Sequence, residues 1–99
     1  MFKVGIIIPC YKVTGLVNRV IENILSQIEN LKNNYTFRIY IVDDFCPEKS
    51  WMEVRKNEII KFIRHKNNKG VGASTITGLK AALDDNCDAF IKIDADGQH

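Results

Sequence analysis

Two acidic pairs and one glycine-rich turn are the residues of this chain best suited to chemistry. Asp94-Ala95-Asp96 sets two carboxylates one residue apart. In an extended segment alternate side chains project to the same side, so both carboxylates can meet one ligand. Hard oxygens ahead of Gly97 suit Mg²⁺ or Mn²⁺, above all an ion shared with phosphate oxygens, and Gln98 continues the alternation with a carbonyl. The same residues also read as turn acids in a solvated loop. Asp43-Asp44 closes an apolar run, where a carboxylate can accept a hydrogen bond from a ribose hydroxyl or a base N–H. Its other reading is a turn, or a cap for a following helix.

The third element is Asn67-Asn68-Lys69-Gly70-Val71-Gly72-Ala73-Ser74, which leads into a helical pattern. Glycines at a helix start leave backbone N–H groups open to an anion. The run lacks the GxxxxGK[ST] of a Walker A loop and is an incomplete GxGxxG, with Thr75 at the third glycine. Plain helix initiation explains it equally well. Lys61, Arg64, His65, Lys66 and Lys69 form a basic stretch that could greet a diphosphate, although a solvated strand edge accounts for it too. His65 and His99 show no ligand spacing, and Cys10 and Cys87 read as small buried groups.

These residues need elements to hold them. Lys3–Ile8 is β-rich and almost wholly apolar, ending at Pro9. Leu16, Val17, Val20, Ile21, Ile24, Leu25, Ile28 and Leu31 recur at helical spacing, which predicts an amphipathic helix of about five turns with Thr14 as N-cap, ending near Asn33-Asn34. Phe37–Val42 reads as a second strand, 50–57 as a short helix holding Trp51, and Ile59–Ile63 as a third strand. Gly70–Asn86 is helical with Val71, Ile76, Leu79, Ala82 and Leu83 on one face, and Asp88–Ile93 is a fourth strand. The order β-α-β-(α)-β-α-β predicts a three-layer α/β/α domain with a mainly parallel sheet. Ligands of such sheets bind outside the carboxyl ends of the strands. Pro9-Cys10-Tyr11, Asp43-Asp44 and Asp94-Ala95-Asp96 should therefore share one edge.

Composition narrows the classes. The 99 residues carry 14 Lys plus Arg against 12 Asp plus Glu, too even a balance to signal nucleic acid or an anionic membrane. Three widely spaced cysteines without a CxxC pair speak against a disulfide framework and a structural zinc, and for a reducing, cytoplasmic setting. No run approaches the length of a signal or membrane segment.

Taken together, Ile6-Ile7-Ile8-Pro9-Cys10-Tyr11, Val42-Asp43-Asp44, Asn68-Lys69-Gly70-Val71-Gly72-Ala73 and Lys92-Ile93-Asp94-Ala95-Asp96-Gly97-Gln98-His99 resemble family-2 glycosyltransferases of the GT-A fold. The last two stretches look most like the subgroup that moves a sugar onto a polyisoprenyl phosphate. The resemblance implies a Rossmann-like nucleotide-binding half, covering 1–99 and stopping just after the DxD motif. It implies a UDP- or GDP-sugar donor, and an acceptor that is a polyisoprenyl phosphate or a glycan. It makes Pro9, Tyr11, Asp43, Asp44, Asn68, Gly70 and Asp94 the nucleotide contacts, and Asp94, Asp96 and Gln98 the ligands of Mg²⁺ or Mn²⁺. No residue takes the part of catalytic base, so the 99-residue chain is expected to lack turnover alone. Membrane association at the cytoplasmic face, through a further C-terminal part, and a homodimer fit the same picture. The run after Asp44 departs from the family's usual Gly-Ser-x-x-Asp and reads Phe45-Cys46-Pro47-Glu48. Rival readings are a dinucleotide-binding domain, a haloacid-dehalogenase-type phosphatase using Asp94, and a non-catalytic α/β binding module.

Overall fold

The computed structural model describes residues 1–10, 17–45 and 58–94. Among these the chain runs β1 (Phe2–Cys10), α1 (Val17–Ile28), β2 (Tyr35–Asp43), β3 (Ile60–Arg64), α2 (Val71–Asp84) and β4 (Ala89–Lys92). The four strands form one sheet in the order β3-β2-β1-β4, and every pairing is parallel. The fold is α/β, as the sequence pattern requires.

Alternation along the strands divides the core in two. Val4, Ile6, Ile8 and Cys10 of β1, with Ile39 and Ile41 of β2, meet Ile21 and Ile24 of α1. Ile7 and Tyr40 turn the other way, toward Ala81 and Ala82 of α2. The helices thus cover opposite faces, giving three layers. α1 is shorter than its apolar stripe suggests. It ends at Ile28, turns follow to Asn34, and Leu31 is left exposed. Thr14, Trp51, Cys46 and the expected short helix at 50–57 lie outside the described residues.

α2 bears out Ala82 and Leu79 of the expected apolar face and corrects the other three. Its buried residues are Ser74, Gly78, Ala81 and Ala82. Val71, Ile76 and Leu83 are 61%, 54% and 55% exposed. The reason is proximity. A Cβ built on Gly78 would stand 2.5 Å from Ile7 Cγ2, and one on Gly5 would stand 3.0 Å from Ala82 Cβ. Only small side chains fit where helix and sheet approach this closely, so the larger apolar groups sit on the flank. Phe90 and Ile91 of the edge strand β4 are exposed as well.

β1 also runs further than expected, through Pro9 to Cys10. Lys3 and Ile7 carbonyls accept from Asp88 and Ile93 on the β4 side, while the Cys10 carbonyl accepts from Asp44 on the β2 side. By alternation the nitrogen of Pro9 faces the β4 side, beyond the last β1–β4 pair, Ile7 with Lys92. A missing N–H is harmless there.

A polar clasp ties the sheet to the end of α2. The buried Tyr40 hydroxyl donates to Asp85 Oδ2 at 2.7 Å, and Lys3 Nζ donates to the Asp85 carbonyl at 2.6 Å. Burial, with bonds to Cys87 and Asp85, pushes the Tyr40 phenol far above its usual range. No described helix is long and apolar enough to cross a membrane.

Candidate functional site

The carboxyl ends of the four strands bring the expected residues to one edge. Pro9 and Cys10 close β1, Asp43 and Asp44 close β2, Arg64 and His65 close β3, and Asp94 follows β4. β1 is followed by α1 on one face, whereas α2 leads into β4 on the other. The strand order therefore reverses at β1, which makes the carboxyl edge there a topological switch point, where open α/β sheets take their ligands.

Consecutive residues of β2 and β3 make two pairs that point to opposite faces. Asp43 and Arg64 are register partners, and Arg64 Nε donates to Asp43 Oδ2 at 3.0 Å. One residue on, His65 Nδ1 lies 2.8 Å from Asp44 Oδ1. His65 Nε2 lies 2.8 Å from Thr77 Oγ1 on α2. The His65 backbone N–H also donates to the Asp43 carbonyl. His65, expected as part of a solvated basic edge, is instead buried. Lys61, Arg64, Lys66 and Lys69 remain exposed.

Asp44 is the hub. Its carboxylate accepts from His65, from the Lys69 N–H at 2.8 Å on Oδ1, and from the Gly70 N–H at 2.7 Å on Oδ2. The Asn68 amide reaches the Asp44 carbonyl at 3.4 Å. The glycine turn does hold an anion on its backbone amides, but that anion is the chain's own side chain. Gly70 makes this geometry available with φ of 97°, which a residue with a Cβ rarely adopts. A carboxylate has about four acceptor sites, so roughly one, on Oδ2, remains for a ligand.

Burial raises the Asp44 carboxyl, but bonds from His65, Lys69 and Gly70 outweigh it, and the group lies below its usual range. Asp85 is lowered too, first by the Tyr40 hydrogen bond and then by Lys61, Arg38 and Lys3, against its own desolvation. Both groups titrate lower folded than unfolded. Their stabilisation is complete above about pH 4 and is lost as pH falls through the folded values. Urea midpoints should thus drop steeply below about pH 4, and less steeply in Asp44→Asn. Equal pH slopes for parent and variant would contradict this linkage.

Phe45 follows with φ of 56°, the left-handed region, and its ring lies 4.9 Å below the Arg64 guanidinium. This is the position where the family that the sequence resembles usually has glycine. The strain, on the order of 1–2 kcal/mol, is opposed by the cation–π contact.

Asp94 is half exposed at the end of β4, with Lys92 Nζ 3.6 Å from its Oδ1. Its hard oxygens suit the donor type that Mg²⁺ or Mn²⁺ takes. No three-residue cluster of metal-ligating side chains occurs among the described residues. Tyr11, Asp96 and Gln98 lie outside them.

The glycosyl transferase family 2 model matches residues 5–99. A dolichol-phosphate mannosyltransferase of Pyrococcus furiosus is 33% identical over 98% of this chain and 26% of its own length. A UDP-N-acetylglucosamine–dolichyl-phosphate N-acetylglucosaminyltransferase of Methanococcus voltae is 33% identical over 95% of this chain and 41% of its own. An uncharacterized protein of Methanocaldococcus jannaschii is 31% identical over 98% and 37%. The chain thus spans well under half the length of these relatives.

Proposed function

The chain belongs to glycosyl transferase family 2, and on that premise we propose that it holds the nucleoside-diphosphate sugar of a metal-dependent sugar transferase. The observation that carries this reading is the topological switch point, where Pro9 and Cys10 end β1 between Asp43 and Asp44 at the end of β2 and Asp94 after β4. In this reading the remaining acceptor site of Asp44 meets a base or ribose donor, while Pro9, Tyr11, Asp43, Asn68 and Gly70 shape the nucleotide pocket. Asp94, with Asp96 and Gln98, would hold Mg²⁺ or Mn²⁺. The bound ion would neutralise the charge that develops as the diphosphate leaves the anomeric carbon.

Two relatives named for transfer to dolichol or dolichyl phosphate support a polyisoprenyl phosphate as acceptor. The catalytic base is assigned to none of residues 1–99, so this chain supplies the donor side alone. Transfer then takes place at a membrane surface, where such an acceptor resides.

Thermal unfolding with UDP or GDP, with and without Mn²⁺, tests the donor site. A ligand at about a hundred times its dissociation constant stabilises by roughly 2.7 kcal/mol. The shift should require the metal and vanish in Asp94→Asn. A metal-independent shift that survives Asp94→Asn would reject the assigned metal site, and no shift in a cooperatively folding chain would reject the donor site.

A further inference from the structure

Resting on that donor-site reading, we propose that His65 is a positioning residue for nucleotide binding: it pins the Asp44 carboxylate, and with it the Lys69–Gly70 backbone, in the orientation that receives the nucleotide. His65 follows the edge strand β3, yet its side chain is only 7% exposed. Its two nitrogens join the end of β2, at Asp44, to the middle of α2, at Thr77, each at 2.8 Å. The ring reaches the middle of α2, between the Asp44–Gly70 bond at the start of that helix and the Tyr40–Asp85 bond at its end.

The need for a pin follows from the torsion of an aspartate. Rotation about χ2 is broad and soft, so a carboxylate at a strand end has no strong preference of its own. The amides of Lys69 and Gly70 grip the two oxygens from the turn, and His65 grips Oδ1 from the neighbouring strand. Three donors from two directions fix the plane of the group and so aim its remaining acceptor site. Rigid positioning of this kind is what a binding group requires from its supporting residues.

The arrangement also survives a change in the ring's proton count. A neutral ring donates from Nδ1 to Asp44 and accepts the Thr77 hydroxyl proton at Nε2. A doubly protonated ring donates from both nitrogens, and the Thr77 proton turns to the Ala73 carbonyl, 3.0 Å away. Both ring contacts persist in either state. Asp44 is the charged group that faces the ring from β2, while Arg64, one residue before it, is engaged by Asp43.

The test compares the chain with His65→Ala, His65→Asn and Thr77→Val. The readouts are titration with UDP and GDP in Mn²⁺ by calorimetry, and amide exchange of Lys69 and Gly70 by NMR. In Asn the side-chain amide nitrogen occupies the place of ring Nδ1 and still donates to Asp44. His65→Ala should bind about tenfold more weakly, and His65→Asn should recover to within about threefold. Exchange at Lys69 and Gly70 should accelerate in the same order. Thr77→Val keeps the shape but loosens the ring, and supplies a folded variant should His65→Ala unfold. Parent-like affinity and exchange in a folded His65→Ala or Thr77→Val would overturn the proposal. Should the parent chain bind neither nucleotide, the donor reading fails, and unchanged exchange would then overturn the pinning role separately.

Discussion

Asp44→Ala is expected to lower folding stability by about 3 kcal/mol or more, because it strands partners on two elements at once. His65 loses its Nδ1 partner in a buried setting, and the Lys69 and Gly70 N–H groups lose theirs. Each buried donor left unmade costs roughly 1–3 kcal/mol, whereas the net gain from forming such a bond is smaller. In a chain of this size the loss corresponds to a fall in Tm on the order of 10–20 °C. Asp44→Asn separates charge from shape. Its oxygen can serve one set of donors, but its NH₂ must oppose another N–H. It should fall between parent and Asp44→Ala. An Asp44→Ala variant melting within about 2 °C of the parent would mean that water replaces the carboxylate, contrary to its burial.

Gly78→Val should cost about 3 kcal/mol, against the usual rule for glycine inside a helix. In an open helix Gly→Ala stabilises by roughly 1 kcal/mol, since glycine has more backbone entropy to lose. At Gly78 a Cβ already stands 2.5 Å from Ile7 Cγ2. Ile7 is buried, and its β-branched side chain is stiff at χ1, so it cannot swing aside cheaply. Overpacking therefore wins over propensity. Gly72 supplies the internal control, because a Cβ there meets nothing within 4 Å. Gly72→Ala should raise the urea midpoint while Gly78→Val and Gly78→Ala lower it. Changes of the same sign at both glycines would show that propensity, not the contact with Ile7, governs α2.

The strands and their parallel pairing were legible because Ile6-Ile7-Ile8 and Ile39-Tyr40-Ile41-Val42 are apolar runs bounded by turn residues. The inner face of α2 was legible only in Leu79 and Ala82. Hydrophobic periodicity ranks Ile76 and Leu83 above Ser74 and Gly78, whereas the distance between helix and sheet selects for size. Asp43 and Asp44 were legible as acids at a strand end. Their partners were not, because cross-strand register, not sequence spacing, sets Arg64 beside Asp43 and His65 beside Asp44. Gly70 was legible as a special turn, but which anion it holds depends on where β2 ends relative to α2. The positive φ of Phe45 had no sequence signal beyond standing where the family usually has glycine.

Pro9 has a consequence for how far this sheet can grow. Parallel strands close on one another bond by bond, and each step along β1 needs an N–H aimed at the incoming strand. The β4 side supplies that donor up to Ile7 and then meets an imino nitrogen. A neighbouring strand cannot zip past this point with a regular ladder. The last three residues of β1, Ile8 to Cys10, extend roughly 10 Å beyond the final β4 pair at about 3.3 Å per residue. Pro9 thus ends the regular β1–β4 ladder through its covalent ring, independently of the residues around it.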